Sequence, residues 1–204
     1  MAKTEPVVFI VDDNEEVLKS LGKLIEAAGF NVRTFASGQE FLESSDFSSP
    51  GCLVLDVRMP GMSGLKLQNK LAEHRSQLPI IFITGHGDVS TAIEAFKGGA
   101  VDFIEKPFSE QKLLDSINKA IETSLKNYRN QIEIADIQQK MDTLTSRERE
   151  ILDGIVGGKT NKLIGLELNL SPKTVDYHRC NIMEKMGVNR AVQLTKLVMK
   201  ATGS

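Results

Sequence analysis

The chain has only two cysteines, Cys52 and Cys180, placed far apart in its 204 residues. Two isolated thiols offer neither a disulfide framework nor a zinc spacing, so a reducing compartment is expected. No basic segment leading into an apolar run opens the chain, and no apolar run approaches the roughly 18 residues of a membrane span. The expectation is a cytoplasmic protein with no membrane attachment. A glycine-rich loop of the ATPase type is also missing, which speaks against remodelling of a partner by nucleotide hydrolysis. Neither Pro nor Gly occurs between Pro107 and Gly154, so nothing in that stretch punctuates a helix. Excess charge of one sign is lacking too: 25 Lys+Arg face 27 Asp+Glu, a formal net of −2.

That near balance conceals a division. Residues 1–125 carry 12 basic against 18 acidic side chains, whereas residues 126–204 carry 13 against 9. An acidic front and a basic rear suggest that only the rear meets nucleic acid. The length suits one large or two ordinary domains, and 41% hydrophobic with 25% charged residues is usual for a folded, water-exposed protein.

Four short apolar runs each end on a polar residue. Val7–Val11 leads into Asp12 and Asp13, Cys52–Leu55 into Asp56, Pro79–Ile83 into Thr84, and Val101–Glu105 into Lys106-Pro107. Asn31–Phe35 supplies a further strand. Helix-like stretches lie between them. Val17, Leu21, Leu24 and Ile25 follow a possible cap at Asp13 or Asn14 and stop at Gly29, and Gly64–His74, Val89–Lys97 and a long stretch from Ser109 follow. The alternation predicts a five-stranded, doubly wound parallel sheet of the α/β class, flavodoxin-like in outline. Carboxyl ends of parallel strands share one edge, where ligands bind. Three carboxylates, a hydroxyl and an ammonium would therefore converge there. Clustered acids call for a cation, all-oxygen donors suit Mg²⁺, and the lysine and threonine suit phosphoryl oxygens. Taken singly, each has an ordinary reading: Asp12 or Asp13 as a helix cap, Thr84 as a strand end, Lys106 as a solvated cation. Together they point to a phosphoryl-accepting site with Asp56 as nucleophile.

Over residues 5–124 the chain resembles the receiver domain of bacterial two-component response regulators. LVLDVRMPGMSG, IFITGHGD and DFIEKPF match in order, with Thr84 placed 28 residues after Asp56 and Lys106 placed 22 after Thr84. PGMSGLKLQ, TGHGD and FIEKPF are most similar to the FixJ/NarL type. The resemblance implies that Asp56 takes phosphoryl from a sensor histidine kinase. Asp13 and Asp56 would hold Mg²⁺ directly, with the backbone carbonyl of Arg58 beside them and Asp12 acting through water. Lys106 would neutralise the transferred oxygens. Thr84 would then move toward the phosphate, with Phe103 following and Gly85–Asp88 shifting. Phe103 stands where other branches often carry tyrosine, so no hydroxyl takes part in its switch.

Beyond the receiver, Ile121, Leu125, Tyr128, Ile132 and Ala135 recur at steps of 4, 3, 4 and 3. This is either a short coiled-coil seam or an amphipathic face against the chain's own receiver. Residues 125–141 read as a helical linker between a receiver at 1–124 and a C-terminal domain at 142–204.

Three helix starts crowd the C-terminal part. Thr145 with Glu148 forms a capping box closed by Gly157 and Gly158; Thr160 caps Asn161–Leu168; Ser171 with Pro172 opens Pro172–Met186. A further helix follows Asn189. A short helix, a turn at Asn169 and Leu170, then a longer helix is a helix-turn-helix. LTSREREIL and GGKTNKLIGLELNLSPKTVDYHRCNIMEKMGV resemble the LuxR-type DNA-binding module. Ile164, Leu168, Val175, Ile182 and Met186 would form its core. Lys173, Thr174, Asp176, Tyr177, His178, Arg179 and Asn181 are exposed positions that can face DNA; Lys173, Thr174, Tyr177, His178 and Arg179 are the favoured contacts, with Asn161 and Lys162 on the phosphate backbone. Gly165 stands where that family often carries alanine, which would weaken its helix slightly.

The two resemblances imply a phosphorylation-controlled, DNA-binding transcription regulator and not an enzyme, with promoter DNA and RNA polymerase as partners. Dimerisation on phosphorylation and an activating role are expected. The alternative is a constitutive DNA-binding regulator whose receiver is only a protein-interaction module. A phosphate-ester hydrolase working through an aspartyl-phosphate fits less well, since such enzymes often carry a second acid where Arg58 stands.

Overall fold

A computed structural model of the chain describes residues 5–44, 49–85 and 89–202. It divides into two compact units, the first ending at Arg129 and the second beginning at Asn130.

The first unit alternates strand and helix: β1 (Val7–Val11), α1 (Glu15–Ala27), β2 (Asn31–Phe35), α2 (Gly38–Glu43), β3 (Gly51–Asp56), α3 (Gly64–Glu73), β4 (Ile80–Thr84), α4 (Val89–Lys97), β5 (Asp102–Glu105) and the start of α5 (Glu110–Asp142). All strand pairs are parallel, in the order β2-β1-β3-β4-β5. The central strands are apolar at nearly every position because both sheet faces are covered. Alternation assigns each residue to a face. Val8, Ile10, Val54, Ile81 and Ile104 meet α1 and α5, while Phe9, Val11, Leu55 and Phe82 meet α2, α3 and α4. Order reverses between β1 and β3, which opens the switch-point crevice beside Asp12 and Asp56.

Asn14, not Asp13, caps α1; its side chain accepts the amides of Glu16 and Val17. That leaves both preceding acids unused by the cap. The expected strand and helix boundaries shift by a residue or two, and α2 is an addition to them, capped by the Ser37 side chain at the amide of Glu40.

The stripe from Ile121 to Ala135 is not one seam. Ile121 and Leu125 join the core beneath α5, whereas Ile132 and Ala135 are exposed. Farther along, Ile137 and Met141 belong to the core of the second unit.

That unit contains the end of α5, then α6 (Ser146–Val156), α7 (Asn161–Leu168), α8 (Pro172–Met186) and α9 (Ala191–Thr202). The Thr145–Glu148 capping box is present at α6, and Ser171 accepts the amide of Thr174 at α8. Gly158, at φ 73°, takes the left-handed position after α6. Ile164, Val175, Ile182 and Met186 are buried together and Leu168 packs on them. Gly165 answers to geometry, not to a weakened helix. A Cβ there would lie 2.7 Å from the carbonyl oxygen of Leu170, whose amide donates to the Gly165 carbonyl at 2.8 Å. The chain doubles back into α8 so tightly that alanine would push this turn open.

Candidate functional site

Each strand delivers its last residue to one edge of the sheet. Asp12 follows β1 and is buried, with its carboxylate accepting the Asn14 amide at 2.9 Å. Asp13 next to it is exposed. Asp56 ends β3 with its side chain only 12% exposed. The Lys106 backbone amide donates to the Thr84 carbonyl at 2.7 Å, which sets the lysine at the same edge. Its Nζ lies 3.4 Å from Asp12 Oδ2 and 3.4 Å from Asp56 Oδ1. One ammonium thus bridges two carboxylates that belong to different strands.

Arg58 contributes through its main chain: its amide donates to Asp56 Oδ2 at 2.7 Å. The residue is otherwise exposed. Burial pushes the Asp56 carboxyl above its ordinary range; the Arg58 amide pulls it back, the charge of Asp12 pushes it up further, and Lys106 opposes that push. A cation placed among these oxygens would relieve the same strain.

Hard oxygen donors around two crowded carboxylates fit Mg²⁺. Among the described residues no three acidic, His or Cys side chains lie close enough to hold a metal by themselves. A cation would therefore combine carboxylates with a carbonyl or water, as Mg²⁺ commonly does.

Thr84 ends β4, 1% exposed, paired in register with Glu105. Phe103 on β5 is half-buried, its ring 6.3 Å from that of Phe82. Of the segment expected to shift with Thr84, His86, Gly87 and Asp88 lie outside the described residues.

Cys52 is fully buried in β3, which pushes its thiol up to about 12 and removes it from the chemistry. No helix among the described residues is long and apolar enough to cross a membrane.

On the second unit, burial of Val175, Ile182 and Met186 fixes how α8 is turned. Lys173, Tyr177, Cys180 and Glu184 recur at steps of 4, 3 and 4 on the opposite side and are all exposed. Lys173 and Tyr177 thus stand free for a partner, and so does Lys162 at the start of α7. His178 and Arg179 are half-buried flank residues. His178 Nδ1 is buried without a hydrogen-bond partner, which leaves at most one ring nitrogen for DNA. Thr174 is half-buried, its hydroxyl 2.8 Å from that of Ser171. Asn161 is half-buried, and its amide donates to Asp176 Oδ1 at 3.1 Å.

Sequence reasoning under-used two features here. One is Asp176, which the sequence offers as an exposed position able to face DNA but does not rank among the favoured contacts, and which burial of the three core positions leaves exposed near Cys180. The other is Lys185, whose Nζ donates to Glu148 at 2.7 Å and to the Thr143 carbonyl at 3.3 Å, tying α8 to the start of α6. Glu148 itself was visible as the capping-box acid.

Comparison with known proteins agrees with this division of chemistry. The response regulator receiver domain family matches residues 8–118, and the luxR family of bacterial regulatory proteins matches residues 142–198. Response regulator protein TmoT of Ectopseudomonas mendocina is 42% identical over 204 residues, spanning 100% of this chain and 93% of that protein. Transcriptional regulatory protein FixJ of Bradyrhizobium diazoefficiens is 39% identical over 198 residues, 97% of each. The solved structure of response regulator StyR superposes with a TM-score of 0.86 at 41% identity, covering 96% of this chain and 99% of that one. These relatives are named as regulators and not as enzymes. The chain belongs to the two-component response regulators that join a receiver domain to a LuxR-type DNA-binding module.

Proposed function

We propose that Asp56 accepts a phosphoryl group from a sensor histidine kinase and that this modification governs binding of promoter DNA by α8. The observation that carries the reading is the sharing of one Lys106 ammonium, at 3.4 Å each, between the Asp12 and Asp56 carboxylates at the switch-point edge of the sheet.

An Asp56 oxygen attacks phosphorus, the new O–P bond forms, and the N–P bond of the phosphohistidine breaks with its electron pair leaving on the histidine nitrogen. The Arg58 amide holds the other Asp56 oxygen at 2.7 Å, which turns the carboxylate toward an incoming phosphorus. Lys106 is already positioned to pair with the transferred oxygens. Asp13, Asp56 and the backbone carbonyl of Arg58 would hold Mg²⁺, with Asp12 reaching it through a water. When bound, Mg²⁺ neutralises charge on the phosphoryl oxygens. Thr84 then turns its hydroxyl to the phosphate and Phe103 follows.

Residues 1–124 act as the receiver domain and 142–204 as the DNA-binding domain, with 125–141 connecting them. Lys173 and Tyr177 face DNA, Thr174, His178 and Arg179 border that face, and Lys162 and Asn161 hold the phosphate backbone, Asn161 through the amide hydrogen that Asp176 does not take. The phosphorylated protein pairs as a homodimer in the cytoplasm and activates transcription by recruiting RNA polymerase.

The test is phosphoryl incorporation from acetyl phosphate with Mg²⁺. One acid-stable, base-labile group per chain is expected, and Asp56→Asn abolishes it because an amide is no nucleophile here. Undiminished incorporation of the same lability in that variant would refute the assignment.

A further inference from the structure

We infer that Asp176 reads a base in the major groove and prefers a cytosine at one position of each half-site. This rests on the reading of α8 as the DNA-recognition helix and adds a sequence determinant to it.

Asp176 lies in the first half of α8, one position before Tyr177, and is exposed beside the stripe of Lys173, Tyr177 and Cys180. The N-terminal part of a recognition helix is the part that reaches base edges. A carboxylate there faces a polyanion. Against phosphates it is repelled, so it gains only where a base presents a hydrogen-bond donor. In the major groove the exocyclic amines of cytosine and adenine are the donors; guanine shows two acceptors and thymine an acceptor and a methyl. Adenine sets an N7 acceptor beside its amine, which a carboxylate meets as two like acceptors, so cytosine N4 is the better partner.

The carboxylate is also held. Asn161 Nδ2 from α7 donates to Asp176 Oδ1 at 3.1 Å, which fixes the rotamer, while Oδ2 has no further hydrogen-bond partner among the described residues. Asn161 is a positioning residue in this arrangement: one of its two amide hydrogens is committed to Asp176 before DNA arrives. A preset acceptor loses less entropy on binding than a free one.

The experiment is selection of bound duplexes from a randomised library by full-length protein treated with acetyl phosphate and Mg²⁺, followed by titration of single-base variants. The parent is expected to enrich cytosine at one position per half-site, with roughly tenfold loss for a change of that base alone. Asp176→Asn should move that position to adenine, since a carboxamide pairs with adenine N6 and N7. Asp176→Ala should flatten that position only, while affinity for all duplexes rises as repulsion is removed. Asn161→Ala keeps the carboxylate and should weaken discrimination at the same position. Circular-dichroism melting checks that each variant is folded. Unchanged base preferences in both Asp176 variants, with affinity raised uniformly, would overturn the inference and leave Asp176 as a source of repulsion alone. A parent that enriches no sequence would overturn the DNA-binding reading itself, and the inference with it.

Discussion

Lys106→Met tests the electrostatics of the site directly, because methionine keeps most of the aliphatic stem and removes only the ammonium. The Nζ stands 3.4 Å from each of two carboxylates whose side chains are 6% and 12% exposed. At an effective dielectric near 20, each attraction is on the order of 5 kcal/mol before desolvation is subtracted. Stranding a buried charge by deleting its partner costs about 3–5 kcal/mol, but the Lys106 side chain is 30% exposed and solvent screens part of the loss. A net destabilisation of about 2 kcal/mol follows, which for a unit of this size lowers the melting temperature by roughly 8 °C. The same deletion leaves two acids without their cation, so Mg²⁺ should bind the variant more tightly and restore part of the lost stability by mass action. Calorimetric melting with and without Mg²⁺, together with titration of the metal, reads both effects. If Lys106→Met melted like the parent and bound Mg²⁺ with unchanged affinity, the ammonium would not be neutralising Asp12 and Asp56, and the account of the crevice would be wrong.

The two remaining predictions concern the second unit and the switch. The Lys185 ammonium holds the Glu148 carboxyl below its ordinary range, and the Thr145 amide adds to this against the opposing effect of burial. A depressed folded-state carboxyl stabilises above the unfolded value of about 4.3 and loses that contribution as pH falls through the folded value. Protection factors of α6 and α8 amides, taken relative to the intrinsic exchange rate at each pH, should therefore fall with acidification below about pH 4.3, and Glu148→Gln should cost about 1.5 kcal/mol at pH 7 while flattening that acid dependence. A variant with parental protection both at pH 7 and in acid would remove the Glu148–Lys185 pair from the stability of this unit. Thr84→Ala should take up phosphoryl as the parent does yet lose most of the phosphorylation-dependent gain in DNA affinity; a parental gain in a gel-shift titration would exclude the Thr84 hydroxyl as the readout.

The site was legible because its chemistry sits at strand ends, and strands buried on both faces announce themselves as apolar runs. Val7–Val11 needed no structure to deliver Asp12 and Asp13 to an edge. What spacing alone did not rank was the pair, whose different roles came only from the family resemblance. Two adjacent acids look alike in a string, but Asp12 is buried against Lys106 and Asp13 is exposed. The difference comes from the cap: once Asn14 takes the first turn of α1, the direction of each preceding residue is set by the path from strand to helix. Helix α2 escaped notice for another reason. Its six residues carry barely more than one turn of pattern, and only the Ser37 cap marks it.

The stripe of Ile121 to Ala135 shows the same limit from the opposite side. Its spacing is that of a seam, yet spacing says that residues share a face and not what covers it. Ile121 and Leu125 are covered by the sheet of their own unit, and Ile132 is exposed, although the period runs through both. Helix α8 carries the argument to function. Seven of its residues are polar or aromatic positions open to a DNA reading in the sequence, and period alone cannot order them. Burial of Val175, Ile182 and Met186 orders them at once: it puts Lys173 and Tyr177 outward, turns His178 and Arg179 to the flanks, and brings Asp176 beside Asn161. The ranking comes from packing, because the core decides which side of a helix is left for the partner.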